Sequence, residues 1–163
     1  MFNPRYRILI TRKCYPHDEV IGLGGQLISI VNNIGKYLLP HKWYAADVEA
    51  IGENVSKYDL KGIQVKLLGT DLQLIDYCKG IDQFIWGVFI CVDDNFLFQD
   101  IEGLELETED EPFRSIDFDG VLIEIRAFDT AFFELYSDNY EFIRKIADDY
   151  DIEIEKLKLE DEK

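Results

Sequence analysis

Nowhere does this chain of 163 residues run to about 18 consecutive apolar residues, so no membrane-spanning helix is expected from it. Its first stretch, Met1 to Thr11, is interrupted by Arg5 and Arg7 and offers no small-residue cleavage site, so no secretory signal is read there. Cysteine is scarce. Cys14, Cys78 and Cys91 form an odd and widely spaced set, which argues against a disulfide framework and fits reduced thiols in a cytoplasmic setting. Histidine is scarcer still, with His17 and His41 alone. No cysteine or serine stands in a recognisable nucleophile motif beside them, so no catalytic residue is assigned and the chain is read as a non-enzyme. Cys14 and His17 have the spacing of half a zinc site, but nothing in the sequence requires Cys78, Cys91 or His41 to complete it. Asp93, Asp94 and Asp100 miss the spacing of a calcium loop. Gly22, Gly24 and Gly25 lack the lysine and hydroxyl residue of a phosphate-binding loop, and close packing of a helix on a sheet accounts for them. No metal or cofactor is therefore expected.

Basic residues are far outnumbered in one half. Residues 1–80 carry ten Lys/Arg against eight Asp/Glu, whereas residues 81–163 carry seven against 25, so the net charge of −16 belongs to the second half. Phosphates and anionic lipid headgroups would be repelled by such a surface, which argues against direct nucleic-acid or membrane binding and in favour of a cationic partner.

The apolar patterning supplies what those absences do not. Arg5–Lys13 reads as a strand with Tyr6, Ile8 and Ile10 on one face. A helix capped by Asp18 is expected to run to about Leu39, ended by Pro40, although its glycines weaken the first turns by roughly 1 kcal/mol each relative to alanine. Lys42–Ile51 alternates as a strand, with Tyr44, Ala46, Val48 and Ala50 on one side. Ile63, Val65 and Leu67 suggest another. Thr70 and Gln73 make a capping box for a short helix to Lys79, stopped by Gly80. Phe84–Val92 is the most apolar run and is placed centrally in the sheet, with Gly87 marking a bulge or a close approach.

The clearest signal spans Val121 to Tyr150. Ile123 and Ile125, then Phe133 and Leu135, alternate as the core face of a hairpin. A loop of three to five residues around Phe128, Asp129 and Thr130 would pair Ile125 with Phe133 and Ile123 with Leu135. That register sets Glu124 opposite Glu134, with Arg126 between them in a surface ion cluster. A helix capped by Asp138, with Glu141 three residues on, carries Phe142, Ile143, Ile146, Ala147 and Tyr150 on one face. Ile152–Leu159 alternates as a charged edge strand leading to a frayed tail. The whole predicts one α+β domain over residues 1–163. It is built on a mostly antiparallel sheet of about five to six strands, with a long N-terminal-half helix, a short middle helix and a C-terminal-half helix packed on it, the first and last of them on one face.

Asp93–Asp119 stands apart. It holds 11 acidic residues and a single base, Arg114, interleaved with Phe96, Phe98, Ile101, Leu104, Leu106, Phe113, Ile116 and Phe118. Such a segment is either a long connection whose apolar residues enter the core or a docking surface of aromatic anchors inside an acidic rim. The second reading nominates Glu105, Glu107, Glu109, Asp110, Glu111, Phe113 and Phe118 as partner-binding residues. A small acidic α+β chain without catalytic residues suits an inhibitor of a cationic toxin or nuclease, as bacterial toxin-immunity proteins are. The alternatives are a nucleic-acid mimic, which needs regularly spaced exposed carboxylates, and a small-ligand protein or enzyme with a pocket between sheet and helix. Oligomeric state is left open by the sequence.

Overall fold

Residues that alternate at period two need a sheet to bury one face, and this chain builds one of seven strands. The structure is a computed structural model describing residues 4–16, 22–38, 40–53, 55–96, 101, 103–110 and 120–158. Strands β1 (Tyr6–Thr11), β2 (His41–Gly52), β3 (Lys66–Gly69), β4 (Ile81–Asp93), β5 (Val121–Phe128), β6 (Phe132–Ser137) and β7 (Glu155–Lys156) lie in the order β3-β2-β4-β5-β6-β1-β7. Every neighbouring pair is antiparallel. The count exceeds the five to six expected because the two shortest strands, β3 and β7, both pair and form the edges.

Helices α1 (Leu23–Gly35), α2 (Asp71–Lys79) and α3 (Tyr140–Tyr150) all bury their apolar stripes against the same sheet face. Leu27, Ile30 and Ile34 of α1, Leu74 and Tyr77 of α2, and Ile143 and Ile146 of α3 meet Ile8, Ile10, Trp43, Phe84, Phe89, Ile123, Ile125, Phe133 and Leu135 from the strands. No helix among the described residues is long and apolar enough to cross a membrane.

Local chemistry explains where elements begin and end. The α2 capping box forms as expected, with Thr70 and Gln73 satisfying each other's backbone N–H groups and Gly80 following the last turn. Helix α3 is capped by Asn139, one residue later than expected, because its side chain accepts from Phe142 N at 3.1 Å while Ser137 Oγ accepts from Asn139 N. The acidic end of α3, unfavourable against the helix dipole, has partners: Asp149 accepts from Tyr37 Oη, Asp148 pairs with Arg144, and Asp151 takes the left-handed cap at φ 52°. Helix α1 is shorter than expected. It ends at Gly35, where Lys36 and Tyr37 turn their N–H groups to the carbonyls of Asn33 and Ile34. Asp18, its expected cap, lies outside the described residues, and Gly22 stands at the cap position.

Two register expectations are corrected. The hairpin loop is Asp129–Ala131, and Ile125 pairs with Leu135 and Ala127 with Phe133. The loop has the expected length but sits one residue later, because Asp129 and Thr130 adopt left-handed φ of 47° and 58° and Phe128 and Phe132 close it as a stacked pair. In β2 the even-numbered residues do not share a face throughout. Asp47, at φ 53°, is an extra residue opposite β4 and returns Val48 to the side of Trp43 and Ala45. The bulge lies across from Gly87, which itself stays in register with Ala127.

One polar contact ties α2 to the sheet. Asp71, first residue of the helix, accepts from Trp43 Nε1 at 2.6 Å, and its Oδ1 lies 2.7 Å from His41 Nε2. Burial pushes the Asp71 carboxyl up, but the bonds from His41 and Trp43 outweigh it and hold the group below its ordinary 3.8. A depressed carboxylate contributes stability above its unfolded value and loses it as pH falls through the folded one. Asp71→Ala also strands the indole N–H of Trp43, which is wholly buried. We expect a loss of about 1–3 kcal/mol at neutral pH by urea denaturation. The gap from the parent should narrow as pH drops below 3.8. A gap constant with pH would show that the carboxylate charge is not what matters.

Candidate functional site

The second sheet face is where the acidic segment goes. Val88, Ile90 and Val92 of β4 and Tyr44 and Ala46 of β2 point away from the helices, and Phe96, Ile101 and Leu106 close over them in a second core. The apolar residues of Asp93–Asp119 that the structure describes thus enter the core. Residues 63–65, expected to belong to a strand with Leu67, instead give their backbone to this segment. Val65 N donates to Leu104 O, Leu106 N donates to Ile63 O, and Gln64 bridges Glu105. Strand β3 accordingly begins only at Lys66.

Residues 104–107 run extended beside residues 63–65, and 107–110 form a turn. Leu106 and Thr108 are buried at 1% exposure each, whereas Glu105, Glu107 and Glu109 are exposed and turned outward. We call residues 103–110 the acidic ridge. Two anchors, a half-buried aspartate and a buried arginine, fix its outer end. Asp47, turned by the β2 bulge, accepts from Thr108 N at 2.8 Å and from Thr108 Oγ1 at 2.9 Å. Arg126 of β5 donates through Nη1 to Thr108 O at 3.1 Å and to Asp110 O. Asp110 in turn accepts from Glu107 N at 3.0 Å through its carboxylate, which closes a tight turn.

Arg126 is not in a surface cluster. It is 3% exposed, as is Glu124, whose Oε1 it holds at 3.0 Å from both Nε and Nη2. The observed register sets Glu124 opposite Tyr136 and Arg126 opposite Glu134, and the ridge covers the pair. Burial pushes the Glu124 carboxyl above its ordinary value, and Arg126 offsets that only in part. Farther out on the same face, Tyr136 Oη donates to Glu134, and Arg7 reaches both Glu134, at 3.5 Å, and Glu155.

A cavity of about 230 Å³ opens where the ridge meets β4, lined by Asp47, Ile63, Trp86, Glu107, Thr108 and Glu109. Its size falls below the roughly 300–1,000 Å³ of pockets for drug-sized ligands.

Of the residues nominated from sequence, Glu105, Glu107 and Glu109 share the outer side of one pinned segment, and Asp110 is half-buried with its carboxylate engaged in the turn. Glu111, Phe113 and Phe118 lie outside the described residues, as does His17. Asp47, Thr108 and Trp86 were not nominated. The one sequence signal for them is that Asp47 follows the small apolar pair Ala45–Ala46 inside a strand. Among the described residues no group of three or more His, Cys, Asp and Glu side chains is placed to hold a metal ion. Comparison of the chain with protein-family models, curated proteins and solved structures finds no match to any of them.

Proposed function

We propose that this chain is a protein-binding protein whose acidic ridge engages a cationic protein, in the manner of an immunity-type inhibitor of a toxin or nuclease. The observation that supports this reading is the outward alternation of Glu105, Glu107 and Glu109 on a segment pinned from beneath by Arg126 and Asp47. Carboxylates on a fixed segment cost little ordering entropy when a partner arrives, and their summed field raises the rate of encounter with a basic surface. The second half of the chain, with 25 Asp/Glu against seven Lys/Arg, extends that field.

The test is capture from the source lysate, at low and high salt, with the parent and with the Glu105→Gln/Glu107→Gln/Glu109→Gln variant side by side. The reading requires one basic protein recovered in stoichiometric amount, released by salt, and recovered at least about tenfold less by the variant, as expected if three interfacial charges act together. Equal recovery by both proteins would overturn it. All three side chains are exposed, so the variant should unfold within about 0.5 kcal/mol of the parent.

A further inference from the structure

The ridge covers only part of the second sheet face. Beyond it, Trp86 of β4 stands directly opposite Phe128 of β5, and Phe128 directly opposite Phe132 of β6. Leu9 of β1, paired with Glu134, sits diagonally next to Phe132 on the same side. These residues line up because side chains in register on neighbouring strands share a face. The row crosses four strands, a span of about 14 Å at the usual strand spacing. Phe128 and Phe132 are stacked with ring centres 5.4 Å apart and are only half-buried, while Trp86 is 38% and Leu9 44% exposed. Contiguous exposed apolar surface often marks an interaction site.

What surrounds the row names its occupant. At the Trp86 end lies the 230 Å³ cavity, whose lining holds Asp47, Glu107 and Glu109 and no base. At the Leu9 end lies a second cavity of about 220 Å³, lined by Arg7, Leu9, Phe132, Glu134, Glu153 and Glu155, in which three carboxylates outnumber the one guanidinium. The row is apolar along its middle and negative at both ends. Trp86 also offers an indole face beside carboxylates, the setting in which a guanidinium gains both stacking and paired hydrogen bonds.

We propose that this row is the docking site for a basic amphipathic segment of the partner. Its apolar side chains rest on Trp86, Phe128, Phe132 and Leu9, and an arginine enters the cavity between Trp86 and Glu107/Glu109. The inference rests on the reading that the partner is cationic and adds where its apolar contact falls: on the sheet, beside the ridge. Apolar burial supplies residence time, and the carboxylates at the ends fix orientation.

The test uses a designed peptide with a leucine face and an arginine face, and a scrambled peptide of identical composition that lacks the apolar face. Binding is followed by anisotropy of the labelled peptide and by the indole N–H resonances of ¹⁵N-labelled protein. The two tryptophans separate cleanly, since Trp43 is buried and bonded to Asp71 whereas Trp86 is exposed. The amphipathic peptide should bind at least about tenfold more tightly than the scrambled one and move the Trp86 resonance while leaving that of Trp43 in place. Phe132→Ser and Trp86→Ser, which leave the net charge untouched, should each weaken it about tenfold. Glu107→Gln/Glu109→Gln should weaken it and flatten its salt dependence. Equal binding of the two peptides, or unaltered affinity in the Phe132→Ser and Trp86→Ser variants at an unchanged urea midpoint, would overturn the docking site. If those two variants still capture the lysate partner while the ridge glutamine variant does not, the cationic-partner reading stands and the apolar row falls. If neither set of changes affects capture, both fall.

Discussion

Arg126→Met should be the most damaging single substitution of a charged residue in this protein, at about 3–5 kcal/mol by urea denaturation, because it leaves the Glu124 carboxylate buried without its partner. Typical domains have only about 5–15 kcal/mol in total, so the variant would be close to unfolding at 37 °C. Two losses combine. The first is electrostatic: Glu124 is 3% exposed, and its negative charge is tolerated only beside the guanidinium. The second is a pair of carbonyls, those of Thr108 and Asp110, which lose their donor and release the outer end of the ridge. The pH dependence separates them. Without Arg126 the Glu124 carboxyl, already raised by burial, rises further. A raised folded-state carboxyl adds stability below its unfolded value and loses it as pH climbs through the folded one. The defect should therefore be smaller at pH 5 than at pH 8. A double variant, Glu124→Leu/Arg126→Met, should recover most of the electrostatic loss but not the part that belongs to the two carbonyls. Arg126→Lys should fall between, since one ammonium cannot bridge Glu124 and both carbonyls as the planar fork does. If Arg126→Met retained parental stability at pH 8, the buried pair would not be the anchor described here.

That pair also shows what the sequence carried and what it withheld. The period-two stretches around Ile8, Ile123 and Phe133 and the helical stripe of α3 were legible, because burial of one face imposes a repeat on every residue of an element, and the Phe84–Val92 strand was legible as a continuous apolar run. The α2 capping box was legible because all its parts lie within four residues. Less local features were not. The hairpin loop shifted by one residue because left-handed φ at Asp129 and Thr130 is an option, not an obligation, for those residue types. The bulge at Asp47 became visible only once Thr108, 61 residues away, supplied a reason for an aspartate there. Glu124 and Arg126 read as surface charges because alternation put them on the face away from the helices. Nothing local announced that residues 103–110 would return to cover that face. The acidic segment was recognised by composition alone, and which of its glutamates face outward was not legible. The exposed row from Trp86 to Leu9 draws one residue from each of four strands and has no sequence signature at all.

Gly24→Ala should cost about 3 kcal/mol or more, the largest effect expected from adding a single methyl group. A Cβ at Gly24 would stand 2.0 Å from Ile81 O and 2.7 Å from Cys78 O, both backbone atoms at the junction of α2 and β4 that have no rotamer by which to yield. The helix must then lift, and Leu27, Ile30 and Ile34, each wholly buried, lift with it. Gly22→Ala meets Asp82 O at 2.2 Å and should behave alike. Gly25 is the internal control. It lies in the same helical turn but is exposed, so Gly25→Ala should gain roughly 0.5–1 kcal/mol from improved helix propensity. Opposite signs at adjacent glycines would show that close approach, not chain flexibility, fixes the choice at 24. Parental stability in Gly24→Ala would mean that α1 does not sit this close to β4. The same variants separate folding from recognition. Helix α1 packs on the face opposite the ridge and the aromatic row, so the folded fraction of Gly24→Ala should bind the amphipathic arginine peptide with parental affinity. A binding defect beyond the loss of folded protein would mean that the two faces of the sheet are coupled through β4, the strand that carries Phe84 and Phe89 to one core and Trp86 and Val88 to the other side.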